Sequence, residues 1–508
     1  MIPLPLSTIA ELTGGALAGA SPPGGPGAPD GPAAHDPAPG DPPGDPAPGD
    51  PAPGNPGPGN PGPGDPLVSG PVVIDSRQAG PGALFAAFRG ERADGHDFAA
   101  AAYEAGAAAV LAERPVGGPA VIVDDVQQAL GRLARGVLAR LPQATVIGIT
   151  GSSGKTSTKD LIAQVVERAG PTIAPPGSFN NEIGLPLTVL RADEGTRHLV
   201  LEMGARGVGH IAYLAGIARP DIGVVLNVGT AHIGEFGGRE GIAKAKGELA
   251  EAVPAGGTAI LNADDPLVAA MAARTEAEVV TFGRSPGATV RAADEELDEA
   301  GRPRFTLVTP EGTAPVELGL HGAHAVANAL AAAAVGRAAG LDAATVADAL
   351  SRARPASRWR MEVTERPDGV TVINDAYNAN PESTRAAVDV LAHMARGGRA
   401  FAVLGEMAEL GTGSVAEHAK IGQHVARSGI AGLVVVGANA APMAEGADQV
   451  ASWTGECVQV DDVGAAVTAL SGRLRPRDVV LVKGSRVAGM ERVAEALLAR
   501  PGGTGERA

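Results

Sequence analysis

Short apolar runs alternate with longer, periodic Ala- and Leu-rich segments along almost all of the chain after residue 68, and this alternation restricts the fold more than any other feature. VVI at 72–74, AVIV at 120–123, TVIGIT at 145–150 and LVLEM at 199–203 read as buried strands. DIGVVLNV at 221–228, TAIL at 258–261, LVVV at 433–436 and VVLV at 479–482 continue the series. Segments 125–140, 325–339 and 383–395 carry helical periodicity between them. A strand that is apolar throughout is buried on both faces, which a parallel sheet covered by helices provides. The expected fold is therefore α/β with parallel sheets. At 508 residues the chain is too long for one typical core, and three domains follow as a prior. Seams near Leu141-Pro142 and Arg354-Pro355 divide it into 1–142, 143–353 and 354–508. Aromatic residues are only 3% of the chain, so these cores must be built from Ala, Val, Leu and Ile.

Residues 21–66 break the pattern. They vary a Gly-Asp-Pro-Ala-Pro theme, as at Gly44-Asp45-Pro46-Ala47-Pro48. Proline removes backbone donors, glycine raises the entropy cost of ordering, and almost nothing apolar is present to bury. The stretch is expected to be a disordered or polyproline-like insertion in the first domain, with no catalytic role. Collagen is excluded, because glycine does not recur at every third position. Asp30, Asp36, Asp41, Asp45, Asp50 and Asp65, with no Lys or Arg among them, contribute to the net charge of -16. That charge argues against a general nucleic-acid binder, which needs a basic footprint. The single cysteine, Cys457, allows no intramolecular disulfide and fits a reducing compartment. The N-terminus lacks a basic region and carries Glu11 in its apolar stretch, unlike a signal peptide. No uncharged run is long enough to span a membrane. A cytoplasmic protein is expected.

The strongest local signal is Gly151-Ser152-Ser153-Gly154-Lys155-Thr156-Ser157, between an apolar strand and a helical pattern at 158–169. Glycines let backbone N–H groups converge on phosphate oxygens, and the helix N-terminus adds a favourable dipole. Lys155 is placed to reach the β and γ phosphates, and Thr156 to ligate Mg²⁺. The common Walker spacing would put glycine at 149, where Ile149 stands. Glu202 ends another strand, and ligands in open α/β sheets gather beyond the carboxyl ends of strands. A carboxylate there suits Mg²⁺, although alone it reads equally as a surface glutamate. His232, just after the 221–228 strand, is open to a packing role or a functional one. Lys244 and Lys246, in a helical stretch at 241–252, read by themselves as a solvated face.

In these residues the chain resembles the Mur ligase family. The motifs occur in the family's order: TGSSGKTS at 150–157, GSFNNEIGLP at 177–186, LEMG at 201–204, a loop at 227–237 and AKAKGE at 243–248. GAHAVANALAAAA at 322–334, SRWR at 357–360, NDAYNANP at 374–381, LGEMAELG at 404–411 and LVKGSR at 481–486 complete it. The resemblance runs from about residue 68 to 498, with the short segment before the insertion. The stretch 76–98, GSFNNEIGLP and LGEMAELG bring it nearest to the MurF branch. The D-N-P-R motif of the diaminopimelate-adding branch is absent, since Asn380-Pro381 precedes Glu382.

The resemblance implies a three-domain architecture with a P-loop central parallel sheet and a Rossmann-like C-terminal domain. It implies an ATP-dependent ligase that joins D-alanyl-D-alanine to UDP-N-acetylmuramoyl-tripeptide by way of an acyl phosphate, in peptidoglycan precursor synthesis. Gly151, Ser152, Ser153, Gly154, Lys155, Thr156 and Ser157 would hold the ATP phosphates. Thr156, Glu202 and His232 would hold two Mg²⁺ ions, and Lys246 matches a carbamylated lysine. Asn328 resembles an adenine contact and Asp375 a ribose contact. Asn378 would lie close to the same nucleotide. Arg358 looks like an arginine near the phosphates, with Arg360 as its rival. Ser76 and Arg77 would belong to the uridine-nucleotide pocket, and Asn180 and Asn181 would face substrate. Lys483, Ser485 and Arg486 would meet the dipeptide. A monomer suffices for this chemistry. One departure concerns His324-Ala325-Val326-Ala327-Asn328, where the family places asparagine at the Ala325 position; one nucleotide contact is missing. The competing readings are another Mur-type or folylpolyglutamate-type ligase with a different acceptor, an ATP-hydrolysing switch, and a surface protein built on the Pro/Gly repeats.

Overall fold

The computed structural model describes residues 1–19, 65–229 and 236–499. Most of the Pro/Gly-rich stretch and His232 lie outside the described residues. The chain forms two compact units, 1–133 and 134–508. The first holds a five-stranded sheet in the order Ala16–Ala18, Ala120–Ile122, Ala109–Ala112, Leu84–Ala86, Val72–Val73. Its first pair is antiparallel and the rest are parallel. A short antiparallel pair, Leu4–Pro5 with Leu67–Val68, joins the two sides of the Pro/Gly stretch. Ser7 reinforces it, its hydroxyl donating to Asp65 Oδ2 at 2.6 Å and its amide to Oδ1 at 3.0 Å. Asp65 and Pro66 therefore belong to the folded unit, and the expected insertion is shorter at that end than 21–66.

The second unit contains two larger sheets. The nine-stranded sheet runs Gly312–Glu317, Pro303–Thr309, Val290–Leu297, Glu278–Gly283, Thr258–Asn262, Ile222–Val225, Thr145–Thr150, His198–Glu202, Thr172–Ile173. It is parallel from Thr172–Ile173 as far as Val290–Leu297 and antiparallel beyond. The six-stranded sheet runs Glu362–Glu365, Thr371–Asn374, Val479–Lys483, Ala400–Leu404, Gly432–Val436, Glu456–Val460, with only the first pair antiparallel. The central strands Thr145–Thr150 and Ile222–Val225 are almost entirely buried, as their apolar sequences require. The helix His324–Ala338 buries six of its alanines, at 325, 329, 331, 332, 333 and 334, with Leu330 and Val335 beside them and no aromatic ring.

Small side chains let that helix lie close to the helix Lys155–Val166: a Cβ added at Gly336 would come within 2.6 Å of Val165. Phe282 and Phe305 are the aromatic members of this core cluster, in keeping with the composition. The chain leaves Thr145–Thr150 toward one edge of the sheet and leaves Ile222–Val225 toward the other, which opens a crevice at their carboxyl ends.

Candidate active site

The crevice is a cavity of about 290 Å³ within the second unit. Residues 151–154 form its floor, and Lys155–Val166 starts from Gly154, which is left-handed at φ 78°. Only glycine fits there: besides the backbone strain, a Cβ would sit 2.8 Å from Asn328 Oδ1. The loop is held from behind by Asn227, whose Oδ1 accepts the Ser152 and Ser153 amides, both at 3.0 Å. Its Nδ2 donates to the Ser153 carbonyl at 3.1 Å, and the Gly229 amide donates to Ser152 Oγ at 2.9 Å.

Lys155 folds over the loop and donates to the Gly151 carbonyl at 2.8 Å. Burial lowers its pKa, the Glu202 carboxylate opposes that shift, and the Arg360 guanidinium adds to it. Glu202 ends its strand 1% exposed. Its Oε2 accepts the Thr156 hydroxyl at 2.9 Å, while Oε1 accepts the Ser178 hydroxyl at 2.7 Å and the Asn180 amide at 2.9 Å. Opposite them, Lys246 lines the cavity from the helix Arg239–Ala252 and is 5% exposed. Burial, and then the charge of Lys155, push its pKa well below the ordinary lysine value. Lys244, two residues away, is exposed, so the helix separates the two lysines cleanly.

The remaining wall comes from the chain entering and following the six-stranded sheet. Arg360 donates to Thr156 Oγ1 at 3.1 Å and stacks on Tyr377, 4.1 Å from the ring centre. Asn378 and Asn380 also line it, and Asn380 caps the helix Pro381–Met394 while its Nδ2 reaches the Ser152 carbonyl at 3.4 Å.

Of the residues singled out in the sequence, 151–156, Asn180, Asn181, Glu202, Lys246 and Asn378 share this cavity. The Asn181 side-chain oxygen accepts the Gly184 amide at 2.8 Å, where the helix Gly184–Val189 begins. Ser157 is outside the lining, and Asn328 stands directly behind Gly154. Ala325 is buried with no polar group to offer a nucleotide. Arg358 is exposed beside Trp359 and outside the cavity lining, whereas Arg360 lines it.

Lys483 differs most from expectation. It is 2% exposed and donates to Asp375 Oδ2 at 2.6 Å and the Asn378 carbonyl at 2.8 Å. A buried ammonium needs such a counter-charge, so Lys483 is turned into the fold and does not face a dipeptide. Asp375 is committed likewise, its Oδ1 accepting the Met361 amide at 3.1 Å. Ser485 is buried, and Arg486 pairs with Glu491 at 3.1 Å and lies over Trp359. In the first unit Ser76 and Arg77 form a short 3-10 turn, and the Arg77 side chain is 87% exposed. The hydrogen bond from the Arg77 guanidinium is the main cause holding Asp75 at a pKa of about 2. Asn227, Ser178 and Asn380 carried no role in the sequence reading. A phosphate loop's need for a second strand's side chain behind it was the available signal for Asn227.

A glycine-rich loop opening a helix at the switch point of a parallel sheet, with a buried carboxylate and a buried lysine across it, defines an α/β protein built to bind and transfer phosphate. Three family profiles match the chain: "Mur ligase family, catalytic domain" at 71–137, "Mur ligase middle domain" at 149–336 and "Mur ligase, glutamate ligase domain" at 359–486. The UDP-N-acetylmuramoyl-tripeptide--D-alanyl-D-alanine ligase of Mycobacterium tuberculosis (strain H37Rv) is 52% identical over 472 residues, covering 85% of this chain and 92% of its own. The ligase of that name from Escherichia coli K12 is 39% identical over 436 residues, covering 84% and 93%. Among solved structures, MurF from Acinetobacter baumannii matches with TM-score 0.78 at 33% identity, covering 85% of this chain and 94% of that one. MurF ligase from Thermotoga maritima, solved in complex with ADP, matches with TM-score 0.74 at 32% identity, covering 84% and 97%. The chain belongs to the Mur ligase family.

Proposed function

We propose that this chain is the ADP-forming ligase that adds D-alanyl-D-alanine to UDP-N-acetylmuramoyl-tripeptide through an acyl phosphate, as a monomer in the cytoplasm. The observation that carries this reading is one cavity in which the phosphate loop, the Thr156–Glu202 pair and Lys246 face each other, in a chain half identical to ligases of that name. Among the described residues no helix is long and apolar enough to cross a membrane. The domain division 1–142, 143–353 and 354–508 is part of the proposal, each part carrying one of the three main sheets.

A carboxylate does not acylate an amine at neutral pH until it carries a leaving group, and ATP supplies one. The loop amides that Asn227 does not take, with the N-terminus of Lys155–Val166, bind the polyphosphate. Lys155 and Arg360 bring positive charge to the phosphoryl group as it meets the tripeptide carboxylate, offsetting the repulsion of two anions. The Thr156 hydroxyl and Glu202 carboxylate are hard oxygen donors side by side, the donor chemistry that Mg²⁺ takes. They would hold such ions together with His232. Bound there, Mg²⁺ would supply charge neutralisation and polarisation of the phosphates. Burial, and then the charge of Lys155, push Lys246 well below the ordinary lysine range, which favours the free amine that would add CO₂, lose a proton and become a carbamate anion able to help hold metal. Asn328, Asp375 and Asn378 remain the proposed nucleotide contacts, with Asp375 acting from within its ion pair. Ser76 and Arg77 are proposed for the uridine nucleotide, Asn180 and Asn181 for the tripeptide, and Ser485 and Arg486 for the dipeptide. The attacking amine of D-alanyl-D-alanine must be neutral, and phosphate leaves as the amide forms.

Phosphate release measured with the UDP-linked tripeptide and a panel of amines tests this reading. D-alanyl-D-alanine should be the active acceptor and yield a condensed product. Phosphate release without product, or a preference for diaminopimelate, lysine or glutamate, would refute it.

A further inference from the structure

The helix Lys155–Val166 also holds the segment that leads into the six-stranded sheet, at three successive turns. At its far end the Arg354 amide donates to Gln164 Oε1 at 3.0 Å, and Gln164 Nε2 donates back to the Arg354 carbonyl at 3.0 Å. One turn nearer the loop, Asp160 Oδ2 accepts the Ser357 amide at 3.0 Å. At the first turn Thr156 Oγ1 accepts from Arg360 at 3.1 Å. Positions 156, 160 and 164 lie on one face of a helix. The segment therefore runs antiparallel along that face and delivers Arg360 at the phosphate loop.

Lys159 ties a second arm to the same place. It is 1% exposed, and its ammonium pairs with Asp160 Oδ1 at 2.8 Å. It also donates to the Pro175 carbonyl at 2.7 Å and the Gly177 carbonyl at 2.9 Å, and meets Ser357 Oγ at 3.5 Å. Those carbonyls lie in the stretch leading up to Ser178, which with Asn180 grips Glu202. An ammonium taken out of water costs several kcal/mol unless it is fully partnered. This one is partnered, and no step of the proposed chemistry uses it.

We propose that Lys159 and Asp160 are positioning residues for ligation. Together they set the spacing between the phosphate loop, the Glu202 carboxylate held by the 178–180 arm, and the Arg360 guanidinium carried by the 354–360 segment. The inference rests on the ligase reading above, so its test includes a readout independent of turnover. The chain has two tryptophans, Trp359 and Trp453. Trp359 adjoins Arg360, so in a Trp453→Phe background its quenching by acrylamide reports where the segment lies. Asp160→Asn, Lys159→Met and Lys159→Arg are compared with Arg168→Ala, a control in the exposed Arg168–Asp348 pair beyond the same helix.

Asp160→Asn and Lys159→Met should lower kcat ~10–100-fold, the cost of misplacing reacting groups by about an ångström, and make Trp359 more accessible. Lys159→Arg should recover part of the loss, and the control should change neither quantity. In an Arg360→Ala background, the fall in kcat caused by Asp160→Asn should shrink, because the part of its effect that runs through Arg360 is already lost. Folded variants with wild-type kcat and unchanged Trp359 quenching would overturn the proposal, as would effects that multiply with Arg360→Ala. If Lys159→Met does not fold, Asp160→Asn decides. Wild-type protein that forms no amide would defeat the ligase reading, and Trp359 quenching would then decide the positioning claim alone.

Discussion

Replacing Lys483 by methionine separates a ligand-facing lysine from one that holds the fold. The Lys483 side chain is 2% exposed and the Asp375 side chain 11%, with 2.6 Å between their charged atoms. Methionine preserves length and most of the volume, so the cavity contribution is small. What remains is a carboxylate without its counter-charge, together with an unmade bond to the Asn378 carbonyl. Removing one member of a buried pair costs about 3–5 kcal/mol. The Met361 amide still donates to Asp375, which places the effect at the lower end, ~3 kcal/mol. With a urea slope of ~2–3 kcal/mol/M, the midpoint of the transition reporting the six-stranded sheet should fall by roughly 1–1.5 M. Trp453, whose Nε1 donates to the Ile430 carbonyl at 2.7 Å, reports that region by fluorescence in a Trp359→Phe background. Adding Asp375→Leu should restore much of the loss, because an apolar pair of similar volume replaces a buried ion pair at little cost. A Lys483→Met midpoint within about 0.2 M of wild type, with a raised KM for D-alanyl-D-alanine, would refute this account and return Lys483 to the dipeptide.

Further outcomes follow from the same geometry. Lys155→Ala should abolish ligation while far-UV circular dichroism stays unchanged, since the Lys155 ammonium donates within its own loop, to the Gly151 carbonyl; turnover by the purified variant would contradict the phosphate-loop assignment. Deleting residues 22–63 should leave turnover near normal, because Ser7, Asp65 and the Leu4–Pro5/Leu67–Val68 pair that join the two flanks are retained; a severe loss in soluble protein would overturn it. Burial, with a smaller contribution from Asp448, raises the Cys457 thiol to about 11. The reactive thiolate is thus roughly one molecule in a thousand at pH 8 and grows about tenfold per pH unit. Its alkylation by iodoacetamide should keep accelerating through pH 10, and a rate that levels off near pH 9 would show an ordinary exposed thiol.

Much of the fold was legible because buried parallel strands announce themselves as unbroken apolar runs. VVI, TVIGIT, LVLEM and VVLV all fall on strands of the three main sheets. The phosphate loop and Glu202 were legible for a related reason: each sits at the carboxyl end of such a run. Side-chain direction was harder to read. Lys246 falls with Ile242, Leu249 and Ala250 on the buried stripe of its helix, and Lys159 with Ile162 and Val166 on its own. A lysine on an apolar stripe was a readable signal for burial, noticed for Lys246 only through family resemblance and not at all for Lys159. Arg358 and Arg360 could not be separated, because the segment has no periodicity. Trp359 at φ 59° and Met361 at φ 51° turn the backbone there, and those angles decide which arginine points inward. Lys483 extends the buried strand VVLV, but its counter-ion lies just past the end of another strand, Thr371–Asn374, a pairing that linear sequence does not display.

The central claim is that phosphate and carboxylate meet over the loop at Lys155 and form a mixed anhydride before the amide. Supplying the UDP-linked tripeptide with ¹⁸O in its terminal carboxylate, together with ATP and D-alanyl-D-alanine, tests this by mass spectrometry of the released phosphate. An acyl phosphate passes one labelled oxygen to each phosphate as the amine displaces it. Label in the phosphate in proportion to amide formed is the predicted result; unlabelled phosphate alongside amide product would contradict the account.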